Sequence, residues 1–226
     1  MKTPKISRSP KGDVIPYYDV AVLGDVSCGK SSIIKRLMSG KFTDTYTPTA
    51  AEVYMTTLKE NEKRIACLQL FDTAGGFEFP MMLRLTITKC QAFLVVYCVG
   101  SQKSLEVAKK QLAEIASVKG KHFPCVLIGN KKDLDCDRKV SSEKGLQVAV
   151  QYGCSYIEVS AKDNSNVQEA FQTIVKKIEY TATIKQRLHV VEQKQKLFGQ
   201  RARTSSTMKS FFNQLSSGFS SDSDSD

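Results

Sequence analysis

The sequence predicts an α/β fold, a doubly wound and mainly parallel six-stranded sheet with one antiparallel edge hairpin and helices on both faces. Short apolar runs, AFLVVYCV and PCVLIGN among them, alternate with segments of helical periodicity, as expected of strands buried on both faces and joined by crossover helices. A strand, a glycine turn and a helix open the regular part of the chain at Tyr17. The alternating runs AEVYMTTLKE and KRIACLQLFD, joined at Asn61-Glu62, supply the hairpin.

Residues 1–16 are polar, basic and proline-containing, and read as a flexible arm before a globular domain over 17–184. The first apolar run ends at Leu23, Gly24 permits a sharp exit, and Gly29-Lys30-Ser31 opens the helix SSIIKRLMSG. This order suits phosphate. Gly29 lets backbone N–H groups close on phosphate oxygens at the positive end of a helix dipole, Lys30 adds a point charge, and the Ser31 hydroxyl can ligate Mg²⁺.

GKFTDTYTPTAAEVY, rich in Thr and broken by Pro48, reads as an exposed loop feeding the hairpin. The hairpin's second arm ends at Phe71-Asp72, where a carboxylate closing a buried strand fits the metal side of a P-loop nucleoside triphosphatase. Gly75 and Gly76 follow and mark a backbone free to rearrange, suited to sensing a terminal phosphate. The helix SLEVAKKQLAEIASV carries Leu105, Ala108, Leu112 and Ile115 at helical spacing, and PCVLIGN ends in Asn130-Lys131-Lys132-Asp133. SSEKGLQVAVQYG (helix), SYIEVSAK (strand and loop) and NVQEAFQTIVKKIEY (helix) complete the alternation. In such a sheet the ligand sits at the carboxyl ends of the strands, so the loops carrying Gly24 to Ser31, Asp72, Asn130 and Ser160 are expected on one edge.

The chain has 226 residues, with 33 Lys and Arg against 23 Asp and Glu, a net charge of +10. That charge suits an anionic membrane leaflet or a basic soluble surface, and no nucleic-acid motif accompanies it. The seven cysteines show no metal-ligand spacing and fall mostly in apolar runs, which predicts buried, reduced thiols in a cytosolic protein. No apolar run reaches the length of a membrane span, and MKTPKISRSPKG lacks the apolar core of a signal peptide.

Taken together, GDVSCGKS, TPT, DTAG, NKKD and SAK resemble the motifs of a Ras-superfamily small GTPase over about Tyr18 to Tyr180. DTYTPT, FPMMLRLTITK with AFLVVY, and SQKSLE resemble the Di-Ras branch of the Ras family. The resemblance implies a P-loop GTPase domain with GTP or GDP and Mg²⁺ as its cofactors. It implies nucleotide contacts from Asp25, Val26, Ser27, Cys28, Gly29, Lys30, Ser31, Ser32, Tyr46, Thr49 and Gly75. It implies Mg²⁺ ligation by Ser31 and Thr49, with Asp72 acting through water, and a base pocket of Asn130, Lys131, Asp133, Ser160, Ala161 and Lys162. The chemistry of that pocket supports guanine, because a carboxylate at Asp133 accepts two N–H bonds from the guanine edge and adenine presents no matching pair.

Departures from the resemblance bear on turnover. Ras proteins commonly place the attacking water with a glutamine directly after the DTAG glycine, and that position is Gly76 here. Glu78 is the nearest substitute. Val26 and Ser27 stand where Ras has two glycines, so bulk at Val26 is expected to crowd the water-positioning residue, and Ser27 to carry strain. The expectation is a GTP-binding signalling switch with weak intrinsic hydrolysis and a mostly GTP-bound resting state. A pseudo-GTPase interaction module without meaningful turnover is the alternative. Effector contact is expected through residues 46–54 and 72–88, an exchange factor being a further partner. Ala50 and Ala51 after Thr49 disfavour a Ras-type kinase effector.

Residues 185–226 read as a basic, then Ser/Asp-rich tail, helical toward Phe198 and disordered after Gly199. The tail has no cysteine, so no prenyl anchor is expected. Its Lys and Arg with Phe211, Phe212, Leu215 and Phe219 suit a weak anionic-membrane contact, giving a cytoplasmic protein peripheral at the inner face of the plasma membrane.

Overall fold

The computed structural model describes residues 6–8, 14–44, 51–60, 63–75, 80–120 and 122–187. A main unit spans Met1–Thr181, and a second, Ala182–Asp226, is described only over its helical residues 182–187. The strands are β1 (Ile6–Arg8), β2 (Val14–Gly24), β3 (Glu52–Glu60), β4 (Lys63–Asp72), β5 (Ala92–Cys98), β6 (Cys125–Asn130) and β7 (Ser155–Glu158). The helices are α1 (Lys30–Ser39), α2 (Pro80–Lys89), α3 (Gln102–Lys119), α4 (Ser142–Gln151) and α5, residues 167–181 of the main unit, with a 3-10 turn at Asp135–Asp137.

Six strands lie in the order β3-β4-β2-β5-β6-β7, parallel except for the β3–β4 hairpin at one edge, as the sequence predicts. The chain passes from β2 to β4 on one side and later to β5 on the other, so the order reverses about β2. The alternation of side chains along each central strand feeds two cores. Val20, Val22, Leu94, Val96, Val126 and Ile128 meet Ile33 and Ile34 of α1 and Phe171, Ile174 and Ile178. Ala21, Leu23, Phe93, Val95 and Leu127 meet the predicted stripe of α3, Leu105, Ala108, Leu112 and Ile115, each fully buried. β5 is buried along its whole length, which explains its unbroken apolar run.

Two features differ from the sequence reading. The segment read as a flexible arm contains β1, with Ile6, Ser7 and Arg8 paired antiparallel to Pro16, Ile15 and Val14. β4 pairs with β2 only from Tyr17 and β5 only from Val20, so the start of β2 projects beyond both neighbours. Its backbone groups there need other partners, and β1 supplies them while Ile15 is buried. Helix α2 also has no counterpart in the sequence reading. Pro80 at its first position and Lys89 in its last turn suit a helix, but Met81, Met82 and Leu85 are exposed, so no inward apolar stripe announces it. The tail reading beyond residue 187 lies outside the described residues.

Candidate functional site

The β2–α1 turn is built around close backbone approach. Gly29 has a positive φ of 94°, and a Cβ there would run into Nδ2 of Asn130. Lys30 is buried, its ammonium donating to the carbonyls of Asp25 at 2.8 Å and Gly24 at 3.3 Å. Those bonds hold the charge over the mouth of the turn. Ser27, as expected of a non-glycine in so tight a loop, is left-handed with a φ of 58°. Cys28 is buried behind the loop, and burial pushes its thiol up to about 11 against the opposing pull of Lys30, so it is neutral at physiological pH.

Asp72 closes β4 with 1% of its surface exposed, and neither carboxylate oxygen has a hydrogen-bond partner among the described residues. Burial raises its pKa, opposed by the Ser31 hydroxyl, which is near enough to favour the charged form without reaching hydrogen-bond geometry, and by Lys30. An orphaned buried carboxylate beside a hydroxyl and an ammonium fits a divalent cation supplied with nucleotide, and costs free energy without one. Beyond it Gly75 presses on the turn: a Cβ there would lie 2.5 Å from the Val26 Cα and 2.6 Å from its backbone nitrogen. The Val26 side chain itself is 49% exposed.

The opposite wall comes from β6 and β7. Asn130, 1% exposed, donates from Nδ2 to the Cys28 carbonyl at 2.8 Å and accepts the Ala161 N–H at 3.3 Å, tying the two walls together. Ser160 donates to Asp133 Oδ1 at 2.7 Å and accepts the Asp163 N–H at 3.0 Å, which orients the Asp133 carboxylate. Lys131 is left-handed, with a φ of 64°, so both walls carry a strained non-glycine residue.

Between the walls lies a cavity of about 580 Å³. Of the residues expected at the site, Val26, Ser27, Gly29, Lys30, Ser31, Ser32, Gly75, Asn130, Lys131, Asp133, Ala161 and Lys162 line it. Asp25, Cys28 and Ser160 stand behind those residues, bonded or packed against them. Tyr46, Thr49, Gly76 and Glu78 lie outside the described residues. The residues expected at the site did not include Lys35, Lys41, Phe42, Thr43, Asp44, Thr73, Ala74 and Leu134, which also line the cavity. An aromatic residue shortly after the C-terminal glycine of the first helix was the available signal for Phe42.

A strand–glycine turn–helix holding a buried lysine, an acidic strand end and an asparagine spanning two loops define a P-loop nucleotide-binding domain. Residues 19–180 match the family model described as Ras family. The chain is 40% identical over 161 residues to GTP-binding protein drn-1 of Caenorhabditis elegans, covering 70% of this chain and 74% of that one. It is 39% identical over 160 residues to GTP-binding protein Di-Ras2 of Mus musculus and to Di-Ras1 of Homo sapiens, covering 70% of this chain and 80% of each. The chain belongs to the Ras family. It is accordingly a small GTP-binding signalling protein of a GTP-hydrolysing family whose cofactors are GTP or GDP and Mg²⁺.

Proposed function

We propose that the protein is a GTP- and Mg²⁺-dependent switch with weak intrinsic hydrolysis and a mostly GTP-bound resting state. Lys30 and the backbone from Asp25 to Lys30 hold the phosphates, and the Gly75 N–H meets the terminal one. Asn130, Lys131 and Asp133 with Ser160, Ala161 and Lys162 hold guanine. Ser31 and Thr49 ligate Mg²⁺, and Asp72 holds it through water. The cation, when bound, neutralises charge on the outer phosphate oxygens.

Weak turnover follows from what the chain has available to place water. Hydrolysis of a phosphate anhydride depends on positioning the nucleophile and stabilising spreading charge. Gly76 has no side chain for the first task. The observation that carries the reading is the close approach of the Gly75 and Val26 backbones, with the exposed valine and Gly75 both lining the cavity. A side chain introduced at Gly76 is expected to be crowded by that valine.

Partner contact through residues 46–54 and 72–88 is supported by exposed Val53, Met81, Met82 and Leu85, apolar surface of the kind that proteins cover on binding. No helix among the described residues is long and apolar enough to cross a membrane. A cytoplasmic site with weak tail contact to an anionic leaflet suits the basic tail.

The test is the nucleotide released on denaturing freshly purified protein, paired with single-turnover hydrolysis. GTP is expected to dominate. Gly76→Gln is expected to accelerate hydrolysis by less than about tenfold, or about 1.4 kcal/mol of barrier, and further only when Val26→Gly is added. Predominant GDP with brisk wild-type hydrolysis overturns the slow switch, and a folded protein empty of nucleotide points to the pseudo-GTPase.

A further inference from the structure

Arg36 stands in the last turn of α1, the helix that begins at Lys30. Its guanidinium reaches three backbone carbonyls, one at the end of its own helix and two on a segment remote in sequence. Nε donates to Ala161 at 2.6 Å, Nη2 donates to Lys162, and Nη1 donates to Gly40, the residue that caps α1. The same group lies 5.6 Å from the centroid of the Phe42 ring, on the stretch that follows the cap. Ala161, Lys162 and Phe42 all line the cavity.

The Ala161 residue is therefore held at both ends. Its N–H goes to Asn130, which also grips the phosphate turn, and its carbonyl goes to Arg36. Only a planar fork carries donors in three directions in one plane; an ammonium on a flexible stem presents a single point charge and cannot span carbonyls of three residues and a ring face together. Charge-assisted bonds to carbonyls are also the stronger kind.

We propose that Arg36 is a positioning residue for the base end of the cavity, fixing the Ala161–Lys162 backbone and the Phe42 ring so that guanine is retained and preferred. The inference rests on the reading of this cavity as a guanine-nucleotide site. Arg36 touches no reacting atom. It acts through the loop and the ring that it holds, and it links that loop to the helix on which the phosphate end is built.

The test uses full-length protein loaded with a fluorescent GDP, measuring its release with and without Mg²⁺ and the ratio of ADP to GDP needed to displace it. Arg36→Gln is expected to speed release about tenfold, the equivalent of one charge-assisted hydrogen bond, and to lower the ADP-to-GDP ratio about as much. The factor by which Mg²⁺ slows release, a property of the phosphate end, is expected to stay as in the wild type. Arg36→Lys is expected to fall between the two and serves if the glutamine variant does not fold. Faster release with an unchanged ADP-to-GDP ratio, or with a collapsed Mg²⁺ effect, overturns the proposal, because a general loosening of the domain would produce either. A wild-type protein that shows no preference for GDP over ADP overturns the guanine-site reading itself, and that result is visible before any variant is made.

Discussion

At the scale of single residues, Lys30, Asn130 and Ser160 are buried with hydrogen-bond partners inside the protein, and one buried group of the site lacks them. It is Asp72, a carboxylate almost without exposure and without a hydrogen bond among the described residues. If it holds Mg²⁺ through water, as proposed, its charge is useful only when cation and nucleotide are bound. Asp72→Asn keeps the shape and removes the charge. Outer-sphere ligands of this kind are worth about 10–100-fold in metal affinity. The wild-type protein is therefore expected to release GDP much faster in EDTA than in Mg²⁺, and Asp72→Asn to release it at nearly one rate in both. Stopped-flow displacement of a labelled nucleotide reads this directly, and a full Mg²⁺ effect in the variant would remove Asp72 from the metal. Strain at Ser27 and Lys131 belongs to the same scale: both stand in left-handed backbone and line the cavity, whereas Asn164 and Asn166, also left-handed, do not line it.

At the scale of elements, a polar cluster pins the end of the Asn130–Asp133 loop to α4 and β7. Arg138 donates to both Glu158 oxygens at 2.8 and 3.1 Å and to Asp135 at 2.9 Å, while Ser142 and Tyr156 each donate to Glu158. Tyr97 shares a hydroxyl contact of 2.8 Å with Tyr156, and α4 approaches this pair through Gly145, where a Cβ would lie 2.5 Å from both hydroxyls. Burial pushes Tyr97 up to about 12 and Tyr156 higher still, so both remain protonated donors. For Glu158, burial favours the neutral acid, but the bonds from Arg138, Tyr156 and Ser142 outweigh it and hold its pKa below the usual 4.5. A lowered folded-state pKa means stability that is present above the unfolded value near 4.5 and lost as pH falls through the folded value. Arg138 stays charged throughout, so it adds no pH dependence of its own. Glu158→Gln is expected to cost about 1.5–3 kcal/mol at pH 7 and to flatten the loss of stability below pH 4.5. Urea unfolding of GDP-loaded protein at pH 7 and at pH values descending from 4.5 measures both. An unchanged acid limb in the variant would place the acid sensitivity elsewhere.

At the scale of the molecule, the sheet was legible because strands buried on both faces, such as Ala92–Cys98, leave an unbroken apolar run. Most of the site was legible because its chemistry sits in short contiguous motifs at strand ends. What stayed hidden depends on distance along the chain. Arg36 meets Ala161 across 125 positions, β1 is held by the overhang of β2 beyond its neighbours, and α2 turns large apolar side chains outward. The same long-range construction has a thermodynamic consequence. One wall of the cavity comes from residues 26–44 and 73–75 and the other from residues 130–134 and 161–162, so a nucleotide contacting both joins segments that must all be folded to bind it. Binding to the folded chain alone stabilises it by about 2.7 kcal/mol at a ligand concentration of 100 Kd and about 4.1 kcal/mol at 1,000 Kd. Adding GDP with Mg²⁺ is therefore expected to raise the urea midpoint in proportion to the logarithm of nucleotide concentration. The slope of the transition is expected to hold constant, because the surface exposed on unfolding is the same. Stripping the nucleotide in EDTA is expected to reverse the gain. A midpoint indifferent to GDP would mean that the nucleotide does not bridge the two walls. A midpoint that rises while the slope falls would mean that the empty protein had already lost one wall, so that nucleotide orders the site rather than filling a formed one.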